Sequence, residues 1–309
     1  MENKIKENVI IFPHSEMFSF ICYYKKRIIN NNTGNDIKFD FEYISLLISI
    51  SFFIESIVKL IIGNKNNYED NLLKIENKLK YILDYNREEI IFFPRKLNDI
   101  RNKILHANPF ISDIRSLSSM SLWDNYKEEG FVMNIFDNAI EFKKIICKNY
   151  SLGFSNNILF DIINYRCCLI NKIIDIKLNK ECITYILWIS FYLELVVNFV
   201  YFKIIKNKSC SHERYYNKIR KIESNLGFKL RKYKKMYSII EKIRQFRNGI
   251  IHSDANNKFN SNNKFLFTSA FIEEAFKQVI NFRELLFSKS GISYFDALSS
   301  KEIIYFTEK

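Results

Sequence analysis

The chain contains one pattern twice. Arg101-Asn102-Lys103-Ile104-Leu105-His106 and Arg247-Asn248-Gly249-Ile250-Ile251-His252 both read Arg-Asn, three residues, His. They stand 146 residues apart in a chain of 309 and use two of its four histidines. The likeness runs well beyond these segments. Ile50-Ser51-Phe52, Glu55 and Val58 align without gaps on Ile189-Ser190-Phe191, Glu194 and Val197. Lys74-Ile75-Glu76 and Leu79 align on Lys221-Ile222-Glu223 and Leu226, then Leu97 on Ile243 and Ile100 on Phe246. Ile163-Asn164-Tyr165 stands where the first copy has Ile21-Cys22-Tyr23. A repeat of this length must be settled before a fold is assigned, because each copy is one structural unit. It implies a module present twice, residues 1–150 and 151–309, with the boundary in Ser151–Asn157.

The module is helical. With 7 Gly and 3 Pro there are few breakers, and long helices are favoured over strands and turns. The fold class expected is therefore all-α. In the first copy the pattern predicts helices over Glu16–Asn30, Phe39–Ile62 and Asn71–Asn86. A motif helix follows with Pro94 near its start, where proline is tolerated, and Phe131–Tyr150 closes the copy. In the second copy the corresponding helices cover Ile158–Leu178 and Glu181–Lys206; residues aligned on the third, the second motif and a closing helix over Thr268–Ser288 follow. Asn102 and His106 are four apart and share a helix face; Arg101 is one step round and long enough to reach the same point.

A lone Arg-to-His spacing on a helix is most often a surface pair. Its repetition inside a repeated helical context makes it a candidate site. Arg, then Asn, then His late in a small helical domain resembles the HEPN superfamily of ribonucleases. Two copies in one chain resemble the tandem arrangement of type VI CRISPR effectors and of HEPN defence and toxin RNases. The resemblance spans essentially the whole chain. It implies two tandem HEPN-like bundles related by an approximate two-fold axis, with both motifs facing one cleft. It also implies catalytic roles for Arg101, His106, Arg247 and His252, and supporting roles for Asn102, Asn248, Glu55 and Glu194. HEPN toxins silenced by a nucleotidyltransferase partner carry Tyr two residues after the motif His; here Asn108 and Asp254 stand there.

Those residue types suit RNA cleavage. RNA brings its own nucleophile, the 2′-OH beside each phosphate. Histidine exchanges protons near neutrality, and the arginine fork stays charged and matches phosphate oxygens. Glu55 and Glu194 sit within apolar helices, where a carboxylate needs a cationic partner; the motif arginines are candidates. No metal or other cofactor is expected, since no Asp, His or Cys cluster has ligand spacing.

A net charge of +13 suits a polyanionic partner, RNA by the resemblance. Lys229, Arg231, Lys232, Tyr233, Lys234 and Lys235 form a basic run with interleaved tyrosine, which reads either as a solvated helix face or as a grip on single-stranded RNA. The six cysteines lack paired spacing and look like reduced thiols of a cytoplasmic protein. The Phe39–Ile62 stretch approaches a membrane span in length. Glu55 and Lys59 inside it favour a buried helix over a membrane location. Further homo-oligomers and a regulatory or antitoxin protein partner are compatible with the resemblance. Two rivals remain beside a ribonuclease: a catalytically silent RNA- or nucleotide-binding helical module, and a membrane-associated protein.

Overall fold

A computed structural model describes residues 21–29, 39–63, 67–83, 87–105, 126, 128–152, 158–170, 178–205, 213–251 and 268–291. The fold is all-α; among the described residues there is no strand. Helix α1 covers residues 21–29, followed by α2 (Phe39–Ile62), α3 (Tyr68–Ile82), the one-turn α4 (Glu88–Ile91), α5 (Phe93–Leu105) and α6 (Glu129–Tyr150). The second half continues with α7 (Ile158–Ile170), α8 (Leu178–Ile205), α9 (Tyr215–Leu226), α10 (Lys234–Ile251) and α11 (Ser269–Ser290).

Local sequence accounts for most boundaries. Helix α2 ends at Gly63, whose φ of +96° only glycine adopts cheaply. Helix α9 ends at Gly227 (φ +64°), and the Phe228 N–H reaches back to the Glu223 carbonyl at 3.2 Å. Thr268 caps α11 by accepting the Phe271 N–H at 3.2 Å. Pro94 falls in the first turn of α5, where its missing N–H costs nothing. Some boundaries differ from the periodicity. Helix α3 starts at Tyr68 rather than Asn71, because Glu69 and Asp70 suit a helix start. Leu178, expected to close the helix that starts at Ile158, belongs to α8. The basic run is divided, with Leu230–Lys232 forming a 3₁₀ turn before α10 begins at Lys234.

Each amphipathic helix turns one stripe inward. Leu72, Ile75 and Leu79 do so on α3, and Val132, Ile135, Ala139, Phe142 and Ile146 on α6. Helices α2 and α8 are apolar nearly all round and occupy the middle. Both are long and apolar enough to cross a membrane, yet 83% of each apolar window is buried within the protein. Such helices are buried wherever they lie.

The halves share one core. Helix α7 lies along α2, and α10 also touches α2. Phe160 of α7 meets Phe53 of α2 at 5.5 Å between ring centroids, and Lys143 of α6 lies over the same Phe160 ring. Helix α1 reaches the other way: Arg27 bonds Glu181 of α8, and the Lys25 ammonium sits 4.2 Å over the Phe276 ring of α11. The leading helix of each half is thus built into the other.

A buried polar cluster lies where these helices meet. Arg166 is fully buried and pairs with Glu42, while its other guanidinium nitrogen donates to Thr184 Oγ1 at 2.6 Å. Arg27 donates to Tyr23 Oη at 3.0 Å and to Glu181 at 3.4 Å. Tyr23 donates to Glu42 at 3.2 Å, and Tyr165 donates to Glu181. Two arginines and two glutamates therefore balance in charge inside the core. The gapless match of α2 to α8 sets Glu42 against Glu181 and Ser45 against Thr184, so both copies contribute the same polar positions.

Candidate functional site

The site is built on α2 and α8, with the motif helices α5 and α10 laid against them. Glu55 faces out of α2 into Arg101, and the two form an ion pair with side chains 8% and 12% exposed. Lys59, one turn on, also bonds Glu55. Arg101 further donates to Asn98 Oδ1 and, at 3.4 Å, to Asn102 Oδ1. Its guanidinium lies 5.5 Å from both the Phe52 and the Tyr68 ring centroids. Arginine's flat, weakly hydrated cation suits such a half-aromatic seat.

The second half repeats the arrangement more loosely. Arg247 bonds Glu194 at 3.4 Å, with side chains 24% and 31% exposed. It donates to Asn248 Oδ1 at 3.1 Å and lies 5.8 Å over the Phe191 ring. The repeat sets Asn198 where the first half has Lys59, so among the described residues Glu194 has Arg247 alone as an ion-pair partner. Asn198 instead accepts from Lys218 Nζ at 2.8 Å.

The two seats adjoin. Phe52 and Phe191 stack on each other, 5.3 Å between centroids and 18° between planes. Arg101, Phe52, Phe191 and Arg247 thus form a continuous path of cation, ring, ring and cation from one motif to the other. Arg101, Asn102, Glu55 and their counterparts Arg247, Asn248, Glu194 are brought to the two ends of that path. His106 and His252 lie outside the described residues, which end at Leu105 and Ile251, each one residue before the histidine.

Two tyrosines belong to these seats and were missed in the sequence. Tyr68 opens α3 beside Arg101; burial, then the Glu55 charge, holds its phenol above the usual value near 10. Tyr215 opens α9 at the matching position; burial, then Glu194 and Glu241, acts on it the same way. The gapless match of Lys74–Leu79 to Lys221–Leu226, extended six residues back, pairs them and would have found both.

The basic run is not one surface. Lys229 and Arg231 line a cavity of about 610 Å³ between α9, the 3₁₀ turn and α10. Lys232, Tyr233 and Lys234 are exposed beyond it, and Lys235 pairs with Glu274 of α11 at 2.9 Å. Among the described residues no group of three or more His, Cys, Asp or Glu is arranged to hold a metal ion.

The chemistry available is that of two adjoining cationic seats. Each arginine is held by a carboxylate, and Arg247, 24% exposed against 12% for Arg101, is the more open to a phosphate. The chain matches no family model, no curated protein and no solved structure to which it was compared.

Proposed function

We propose that this chain is a metal-independent endoribonuclease of HEPN type that cuts single-stranded or loop RNA. It is built as two tandem HEPN-like bundles about an approximate two-fold axis. One composite site uses Arg101, His106, Arg247 and His252, supported by Asn102, Asn248, Glu55 and Glu194. The arginines hold the scissile phosphate as charge develops on it. One histidine takes the proton of the 2′-OH and the other protonates the departing 5′-oxygen. The products carry 2′,3′-cyclic phosphate and 5′-OH ends. Such an enzyme acts in phage defence or as a toxin, in the cytoplasm, restrained by a protein partner.

The observation that carries this reading is the ring path joining the motif arginines through the stacked Phe52 and Phe191. Nothing in a generic helical bundle calls for two copies of the same Glu–Arg seat to adjoin through one aromatic pair. The test is cleavage of single-stranded RNA in chelator by the full chain, by His106→Ala and by His252→Ala. Both histidine variants should fall to the level of their double mutant, because residues acting as a unit are non-additive. RNA with a 2′-deoxy sugar at the cut should resist. Half the rate in each single variant would refute the shared site, and cutting of the deoxy substrate would refute the mechanism.

One observation favours a rival. Arg101 is 12% exposed and committed to Glu55, Asn98 and Asn102, as a structural cation would be. A catalytically silent RNA- or nucleotide-binding module would bind RNA unchanged in both histidine variants and never cut it.

A further inference from the structure

The cavity between α9 and α10 has the lining of a nucleotide site. Arg214, Arg220, Lys229 and Arg231 stand around it, with Tyr215, Tyr216 and Tyr237 between them and Glu223 and Glu241 as the acids. Its volume of about 610 Å³ is that of a small-molecule pocket. Arg214, Arg220 and Lys229 form no ion pair with another described residue. Glu223 is turned to the backbone, accepting the Leu230 N–H at 2.6 Å. The free charge of the cavity is therefore positive.

Its aromatic wall is fixed rather than loose. Tyr216, 40% exposed, donates to Glu241 at 2.8 Å, and Arg244 lies 4.1 Å over its ring. Arg244 also donates to Glu241 at 3.1 Å. Arg244 is one helical turn from Arg247 and close enough to feel its charge. The cavity wall thus continues directly into the second motif seat.

At the matching place in the first half the lining residues differ. Arg95 stands where the second half has Glu241, Asn98 where it has Arg244, and Glu69 where it has Tyr216. There Arg95 bonds Glu76 at 2.6 Å and Glu69 at 3.4 Å, and Asn98 donates to Glu69 at 2.9 Å. Ion pairs close that seam. In the second half the same positions hold one carboxylate, Glu241, which takes both Arg244 and the Tyr216 hydroxyl and leaves Tyr216 40% exposed beside the cavity.

We propose that this cavity receives one unpaired nucleotide of the RNA strand lying in the motif site, its base against Tyr216 and its phosphate among Arg214, Arg220 and Lys229. The proposal rests on the reading of the chain as an RNA-handling protein, though not on cleavage. Stacking on an aromatic ring is tolerant of base identity, while the cations follow the backbone.

The test measures binding of the full chain to a labelled single-stranded 2′-O-methyl oligoribonucleotide of about twelve nucleotides, which offers no free 2′-OH. Arg220→Gln with Lys229→Gln should lower the slope of log affinity against log salt by about 0.7, the share of the one phosphate they hold. Tyr216→Ala should weaken binding on the order of tenfold, and Tyr216→Phe should keep it. The control is Lys144→Gln with Lys148→Gln on α6, the same charge change at exposed positions of the other half. An equal loss of slope in the control would overturn the proposal, as would wild-type affinity in Tyr216→Ala. If Tyr216→Ala does not fold, the salt slopes alone decide. Mononucleotides (AMP, GMP, CMP, UMP) are measured beside the strand. Binding of one as tight as the strand, lost in the cavity variants, would make this a small-nucleotide site and overturn the substrate reading. Cavity-dependent binding without cutting would retire the ribonuclease and keep the cavity. Cutting with binding indifferent to the cavity would do the reverse.

Discussion

The two motif arginines should differ in what their loss does to the fold. Arg101 and Glu55 are 12% and 8% exposed, against 24% and 31% for Arg247 and Glu194. Breaking a buried pair by removing one partner costs about 3–5 kcal/mol, because a charge is left in the core. Lys59 stays beside Glu55 and offsets part of that. Arg101 also leaves two aromatic rings, each contact worth about 0.5–1 kcal/mol. A net loss of about 3 kcal/mol is expected for Arg101→Ala. Glu194 is half-buried and reaches solvent, which screens the pair toward a surface pair's worth of about 0–1 kcal/mol, so Arg247→Ala should lose about 1 kcal/mol with its ring contact. The difference of about 2 kcal/mol is roughly a thirtyfold change in the folded-to-unfolded ratio. Urea unfolding followed by far-UV circular dichroism at neutral pH measures it as a shift in midpoint. Glu55→Gln added to Arg101→Ala should recover part of the loss, because it removes the stranded charge. Equal losses at the two arginines, or a larger one at Arg247, would refute the burial argument. Arg247→Ala is then the sounder of the two for measuring activity.

In the central cluster, Arg166→Met should cost about 3–5 kcal/mol by stranding Glu42, while Arg166→Met with Glu42→Gln should regain most of it; a double variant as unstable as the sum would contradict this. Burial holds the phenols of Tyr24, Tyr68, Tyr165, Tyr185 and Tyr215 above their usual value near 10. A raised phenol contributes stability that is whole below pH about 10 and lost as pH rises through the folded value. The share of tyrosinate absorbance due to these five should therefore be missing until the fold is lost; ionisation of all 18 tyrosines on the intact fold at pH about 10 would count against it. Burial, with Glu181 beside it, pushes the Cys182 thiol up to about 12. An alkylating reagent at pH about 8 should leave Cys182 unmodified in the folded protein and modify it in urea; rapid labelling of the folded chain would contradict its burial.

The helical class and the long central helices were legible because few residues here break a helix. Helix α2 ends at Ile62, where the pattern placed it, since an apolar run bounded by Gly63 leaves little choice. The pairing of Glu55 with Arg101 and Glu194 with Arg247 was expected from the resemblance, and a carboxylate on an apolar helix needs such a cation. The crossing of α1 and α7 into opposite halves was not legible. Periodicity tells which face of a helix is buried, not whose helix covers it. Nor was the cavity, because Arg214 and Arg220 stand apart in sequence from Lys229 and Arg231, and only the fold of α9 against α10 assembles them.

Comparison of the copies shows where they agree and where they part. Glu42 and Glu181, Phe52 and Phe191, Glu55 and Glu194, and Tyr68 and Tyr215 agree, and all lie along the line where the halves meet or where a motif arginine is seated. Lys59 and Asn198, Arg95 and Glu241, and Asn98 and Arg244 differ, and these surround the seats on the outside. A change on the shared line would have to be accommodated by both halves at once, since each side chain there touches the other copy or holds its own arginine. A change outside needs only local adjustment. That asymmetry in cost explains how one seat can be closed by Lys59, Arg95 and Asn98 while the other stays open beside a basic cavity, with the path between the arginines kept the same.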